Sequence, residues 1–439
     1  MQPDQPVCAE LRSSEQGVLK AASASPAERV DLPIAPERAR ADDPFIIRPA
    51  GVRRSSTYFR ELESLRGIAI TLVFLYHSYF TFLHNGGGLL VGTRGMLVSP
   101  VSAFVIAGHT GVSLFFVLSA FLLSLPFLAE AAGGKRVVRS EYFARRALRI
   151  LPLYWAAVVF ASVACAERWS DVLRGVPYLV FVNSFGGVTA PLPPYYGVWW
   201  SLATEAQFYL LLPLIPLFLR SRRGRWLGGV FLLGYGAAYL AYFRHRLGVE
   251  SLNVQITLGL SIFGRAPLFA FGILAAWVYR RYGDAIRARC EQTAWLRSGG
   301  ADLLFLGIWV MLGYLLRRTV FIGYWDVEGR WHIWHVIEGG LWTAIVLVLL
   351  LCPLRAKAIF SNRILAWVGV VSYSVYMVHQ SLIRLVEKGL RLPQLMAVPG
   401  LHSVLGPVFV AAALSLMTSA LTYRVIERPF LVRKARLDR

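Results

Sequence analysis

Residues 67–83 read GIAITLVFLYHSYFTFL, seventeen residues without an acid, a lysine or an arginine. As an α-helix they would rise roughly 25 Å, close to the ~30 Å of a bilayer's hydrocarbon core. Comparable apolar runs follow at about 101–128, 150–166, 199–219, 226–242, 263–279, 303–316, 337–352, 365–386 and 404–426. They are too long and continuous for barrel strands, and in lipid only helices or closed barrels satisfy every backbone group. The fold class expected is therefore all-α, a polytopic transmembrane bundle of about ten spans. Hydrophobic residues make up 56% of the 439, and the mean hydropathy of +0.53 agrees.

The net charge of +21 would point to nucleic acid in a soluble protein, but its placement excludes that reading. Residues 1–57 hold eight acids and eight bases, so the whole excess lies beyond them. There the bases concentrate in alternate connections: Lys135 to Arg149, Arg220 to Arg225, Arg280 to Arg297, Arg355 to Arg363, and the C-terminal arginines. The opposite connections are poorer: Arg94 in the first, Arg168 and Arg174 in the next, and Arg317, Arg318 and Arg330 in the richest. Positive loops stay cytoplasmic, so an even span count with both termini cytoplasmic is expected, in a cell's inner membrane. Residues 1–57, rich in Ala, Ser, Pro, Arg and Glu, read as a disordered cytoplasmic tail. Residues 58–432 form the membrane domain and 433–439 a basic tail. The stretch PYLVFVNSFGGVTAPLPPYYG (177–197) is apolar but broken by Pro and Gly, which fits a re-entrant or interfacial segment. No apolar stretch near Met1 resembles a cleaved leader.

Cys8, Cys165, Cys290 and Cys352 are scattered singly, which indicates neither a zinc site nor a disulfide framework. Interest falls instead on polar groups inside apolar runs, which are expensive there. His77 lies ten residues after Gly67, roughly 15 Å along a helix, and an imidazole there can serve as a base or can simply bond a neighbouring helix. Glu205, six residues into its run, must pair or be neutralised. Arg145, Arg146 and Arg149 are spaced for one helix face. They suit either phosphate binding or ordinary positive-inside anchoring. Tyr373, Tyr376 and His379 form a stripe that lines a cavity or joins helices. Asn183 sits in the broken segment. His109 precedes the second run's Gly-Val turn, Glu427 reads as a terminal salt bridge, and Trp331, His332, Trp334 and His335 read as an interfacial belt.

Taken together, six strings resemble the acyltransferase type 3 family of multi-span membrane O-acyltransferases. They are ELESLRGIAITLVFLYHS (61–78), GHTGVSLFFVLSAFLLS (108–124), YFARRALRILPLYW (142–155), WWSLATEAQFYLLLPL (199–214), VSYSVYMVHQSLI (371–383) and TYRVIERPF (422–430), in the family's order. The resemblance implies ten spans and a catalytic His77. It implies that Arg145, Arg146 and Arg149 hold an acyl-CoA donor, and it matches Arg66 and Glu205 to motif positions. Tyr376, His379 and Asn183 are carried as further substrate-binding candidates. No permanently bound cofactor is expected. The donor would be acyl-CoA, acetyl-CoA foremost, and the acceptor a hydroxyl of a saccharide, lipid-linked glycan or related molecule. The lipid bilayer is the remaining partner. The sequence departs from the family pattern at Glu63 and Ser64 (Asp-Gly usual), Ser113 (Asp common), Ala120 (Gly common) and Ala206 (a second Glu frequent). It ends soon after the last motif, so the extra esterase-like domain of some relatives is not expected.

Two mechanisms fit these residues: direct attack by a hydroxyl that His77 deprotonates, and a relay through an acylated histidine. A proton-coupled transporter or flippase using His77, Glu205 and His379 is the rival class. A scaffold whose polar groups only join helices is a third.

Overall fold

A computed structural model describes residues 59–84, 99–164, 166–183, 197–245, 258–322, 330–389 and 401–436. The expected tail at 1–57, the connection at 85–98 and residues 437–439 of the basic tail lie outside the described residues. Among those described, all regular structure is helical.

The chain opens with α1 (Arg60–Tyr79), α2 (Pro100–Ile106), α3 (Thr110–Ala131) and α4 (Arg139–Ala164). Two short helices, α5 (Trp169–Leu173) and α6 (Val176–Leu179), lead into the broken segment, whose residues 184–196 lie outside the described residues. Next come α7 (Trp200–Leu211), α8 (Ile215–Leu219), α9 (Arg222–His245), α10 (Ile262–Gln292), α11 (Ala301–Ile322) and α12 (Arg330–Leu351). The chain finishes with α13 (Lys357–Phe360), α14 (Arg363–Val370), α15 (Ser372–Gly389), α16 (Leu401–Thr422) and α17 (Arg428–Arg436). Eight helical stretches among the described residues are long and apolar enough to cross a membrane, and a bent pair, Lys357–Val370 with Ser372–Gly389, supplies a ninth. The expected fifth run corresponds to α9, whose 24 residues begin with Arg222 and Arg223 and are outside those eight. Large apolar side chains such as Phe160, Leu217, Phe231 and Phe409 face outward, as a lipid-facing surface requires. The chain is a multi-pass membrane protein.

The structure redraws three expected spans. The run at 101–128 breaks between α2 and α3 at Ala107–His109, where Gly108 lies against the Leu72 carbonyl and Gly111 against that of Ala69. The third span is not confined to 150–166: the basic segment and the apolar run form one 26-residue helix, α4. The ninth is bent by 61° at Val371. The bend follows from packing, since α14 and α15 both pack on α1. A Cβ on Gly67 would collide with the Leu365 carbonyl, and one on Gly369 with that of Glu63. These two glycines let α14 and α1 approach backbone to backbone, the small-residue contact that drives association in lipid. The turn at Val371 then sends α15 along the upper half of α1 toward His77.

Where the family pattern has Gly, Ala120 meets Gly272 of α10, so the small residue has moved across the contact. Prolines shape α7 and α8 in the same local way. Pro213 and Pro216 lack N–H groups, and the helix tightens to a 3₁₀ turn at Leu212–Leu214. Cys290 and Cys352, distant in sequence, bring their Sγ atoms to 3.3 Å as free thiols. Their scatter along the chain concealed this pairing.

Candidate active site

His77 occupies the last turn of α1. Its Nδ1 lies 2.8 Å from the Val73 carbonyl oxygen one turn earlier. A carbonyl only accepts, so this ring carries its proton on Nδ1 and leaves a lone pair on Nε2. His379 of α15 faces it, with ring centroids 5.1 Å apart. The Nδ1 of His379 donates to the carbonyls of Tyr376 at 2.9 Å and Val375 at 3.1 Å. Its Nε2 therefore holds a lone pair, directed at the His77 Nδ1 from 3.4 Å. His379 is fully buried and His77 half-buried. One imidazole thus braces the other, and the outer nitrogen of the braced ring stays open.

Next to His379, the Tyr376 hydroxyl donates to the Val198 carbonyl at 2.7 Å and accepts from Ser201 Oγ at 2.7 Å. Ser201 begins a stripe on α7. Ser201, Glu205 and Tyr209 are spaced by four residues and share one face. Glu205 accepts a 2.5 Å hydrogen bond from Ser119 of α3, and the Tyr209 hydroxyl is bonded to it. Arg66 and Arg146 both interact electrostatically with Glu205, with Tyr209 and with Arg149. Arg66 also pairs with Glu63 at 3.8 Å. Tyr373, a turn below Tyr376 on α15, donates at 2.7 Å to the Ile150 carbonyl of α4. A polar column therefore runs from the arginines, past Glu205 and Tyr209, to Ser201, Tyr376, His379 and His77.

The structure sorts the expected residues. It joins His77, His379 and Tyr376 at one end and Arg66, Arg146, Arg149 and Glu205 at the other. Glu205 stands near Arg66, which lies eleven residues and roughly 16 Å along α1 from His77. It is part of the arginine end rather than a direct partner of the histidine. Arg145 leaves the group, because its guanidinium bonds Glu141 of its own helix at 3.2 Å. Asn183 is buried beside Phe181, which adopts positive φ and stacks on Tyr154. No described contact joins Asn183 to His77. Glu427 is not a terminal salt bridge but a buried carboxylate bonded by Ser374 of α15 and facing Arg149 and Arg66.

A second polar group went largely unread. Glu338 of α12 accepts from Thr110 Oγ1 at 2.5 Å and from Ser113 Oγ at 3.0 Å. His335 Nδ1 meets it at 2.8 Å. On its far side, His335 Nε2 accepts from the Arg265 guanidinium of α10 at 2.6 Å. That guanidinium lies over the Trp200 ring, 5.0 Å from its centroid. His335 is buried, so it does not belong to an interfacial belt. The Ser113 departure now has a reason. An aspartate there would set a second carboxylate against Glu338, whereas serine donates to it. The available signal was an acid and an arginine standing alone in apolar runs, IWHVIEGGLW and IFGRAPLFAF.

The column, its paired imidazoles and the six ordered strings agree with the comparison of this sequence with known families, in which an acyltransferase domain model matches residues 59–424. The chain belongs to the acyltransferase type 3 family. The peptidoglycan O-acetyltransferase OatA of Listeria monocytogenes is 23% identical over 411 residues, covering 86% of this chain and 56% of the relative. The O-acetyltransferase OatA of Staphylococcus aureus is 23% identical over 410 residues, covering 85% and 57%. The chain thus spans little more than half the length of these curated relatives. No solved structure matches it.

Proposed function

We propose that the chain is a membrane O-acyltransferase that moves an acyl group, acetyl foremost, from acyl-CoA to a hydroxyl of a glycan. The observation that carries this reading is the open Nε2 of His77, fixed in its tautomer by Val73 and braced by His379. It lies in the same column as three guanidiniums suited to the phosphates of a CoA donor. The relatives' names supply the acetyl group and, for one of them, the peptidoglycan acceptor. The arginine end faces the cytoplasm in this reading, with both termini on that side of the inner membrane, a placement that the bias of bases toward alternate connections supports.

In the reaction, Nε2 of His77 takes the proton of the acceptor hydroxyl as its oxygen attacks the thioester carbonyl. The new C–O bond forms, the C–S bond breaks, and the departing sulfur receives the proton from His77. His379, whose Nε2 accepts from the Nδ1–H of His77, holds the ring in place and balances the proton gained at the Nε2 of His77. In the relay alternative, the Nε2 lone pair forms an N–C bond as the C–S bond breaks to CoA thiolate. The acceptor oxygen then breaks the N–C bond, and its proton passes to the thiolate.

Acetyl-labelled acetyl-CoA supplied to membranes containing the chain tests the proposal. Label should enter a hydroxylated glycan, and His77→Ala should lower this by roughly 10²–10⁴-fold at normal expression. Transfer near the parent's rate in the variant would remove His77 from the chemistry. Glycan movement across the membrane with no label gained would favour the carrier reading.

A further inference from the structure

Cys290 and Cys352 stand 62 residues apart in sequence, yet their Sγ atoms lie 3.3 Å from one another. Cys290 sits in the last turn of α10, and Cys352 directly follows the last residue of α12. The pair is held from both sides. Before it, Thr343 of α12 donates to the Phe271 carbonyl of α10 at 3.1 Å, and the Leu351 side chain packs over Gly283 of α10. After it, the amides of Arg355 and Ala356 donate to the Asp302 carboxylate of α11 at 3.3 and 2.9 Å.

This setting suits thiol–disulfide chemistry. A disulfide needs its sulfurs at ~2.0 Å, so the two atoms have only about 1 Å to close, a side-chain rotation rather than a helix shift. The two thiols differ in access: Cys290 is buried and Cys352 half-buried. Cys352 is therefore the one that meets a reagent, and Cys290 the one that resolves the product. Among the described residues no group of three metal-binding side chains occurs, so the pair does not read as part of a zinc site. Arg287 and Arg289 on α10 and Arg355 just past Cys352 make the surroundings attractive to an anionic reagent. In the topology proposed above these helix ends face the cytoplasm, where disulfides are transient and redox-sensing rather than structural.

We infer that Cys290 and Cys352 are a redox modification site, a dithiol that a low-molecular-weight disulfide converts reversibly into a bridge between α10 and the end of α12. The Cys352 thiolate attacks the small disulfide, forms a mixed disulfide and releases one thiol. The Cys290 thiolate then attacks the Cys352 sulfur and releases the second. The protein sulfurs lose two electrons to the reagent's sulfurs, and their two protons leave on the released thiols. The bridge ties together helices that already meet through Arg265 and His335. It involves no acyl group, so it stands or falls apart from the transferase reading.

The test uses the full chain in membranes, incubated with glutathione disulfide near the ordinary cysteine pKa of about 8.5, then digested and read by mass spectrometry. The parent should lose the Cys290 and Cys352 thiols together into one disulfide-linked pair of peptides, and dithiothreitol should restore both. Cys290→Ser should leave Cys352 glutathionylated. In Cys352→Ser, the buried Cys290 should be modified roughly tenfold more slowly than that. The inference is overturned if the parent keeps both thiols or stops at the mixed disulfide. It is equally overturned if either thiol pairs instead with Cys8 or Cys165, or if Cys290 alone reacts as fast as Cys352 alone. The bridged parent should also melt at a higher temperature than the reduced parent, because a link across 62 residues constrains the unfolded chain. A lower melting temperature would show that the bridge strains the fold, and would overturn its assignment as a native site.

Discussion

Two groups centred on histidines lie within the helices, and they are built on opposite plans. At His77–His379 each ring gives its Nδ1 proton to the backbone of its own helix, and the pair leaves one nitrogen open. At Arg265–His335–Glu338 the ring is bonded at both nitrogens, between a cation and an anion that cancel. The first arrangement can take up and give back a proton without disturbing a neighbour. The second cannot change protonation without leaving a buried charge uncompensated. The difference teaches that burial of a histidine does not mark chemistry; an open nitrogen does.

The comparison breaks first at His77. His77→Ala should lower acyl transfer by roughly 10²–10⁴-fold, the usual worth of a general base, with thermal stability near that of the parent. Labelled acetyl transfer and a melting curve read both; a large loss of stability with little loss of transfer would reverse the two roles. Glu338→Gln should do the converse. It removes the anion that faces the Arg265 guanidinium across His335 and should cost about 3–5 kcal/mol, seen as a lower melting temperature. Joining it with Arg265→Gln should recover part of that loss, and a double-mutant cycle with no coupling would show that the chain is not one unit. His379→Ala should reduce transfer by about tenfold to a hundredfold, the usual weight of a supporting partner, with affinity for CoA unchanged. The smallest effects separate two adjacent arginines. Arg146→Ala should raise the KM for acetyl-CoA by roughly tenfold, the loss of one charged hydrogen bond, and Arg145→Ala by less than about twofold, since its guanidinium is held by Glu141 of its own helix. Equal effects would mean that Arg145 leaves Glu141 when donor binds.

The class of the fold was legible because lipid imposes one rule on every segment: a run of the right length must be a helix. His77 and His379 stood out for the same reason, as polar groups in the wrong solvent. Rotation about each helix axis was not legible. Arg145 and Arg146 differ by one position, yet one bonds Glu141 and the other turns toward Glu205 and Tyr209. Partners across the bundle were hidden too. Thr110 and Glu338 are 228 residues apart, and nothing in either string names the other. The bend at Val371 escaped because VGVVSYSV has no proline. Its cause is the contact of Gly67 and Gly369 with a different helix.

Arg66 and His77 ride on a single unbroken helix, α1, clasped along its length by α14 and α15. That makes α1 a ruler. In the proposed reaction, the anchor for a donor's phosphates and the base that meets its thioester are held ~16 Å apart by helix rise. A thioester whose arm is shorter than this gauge would be gripped but never spent, and would act as an inhibitor rather than a poor substrate.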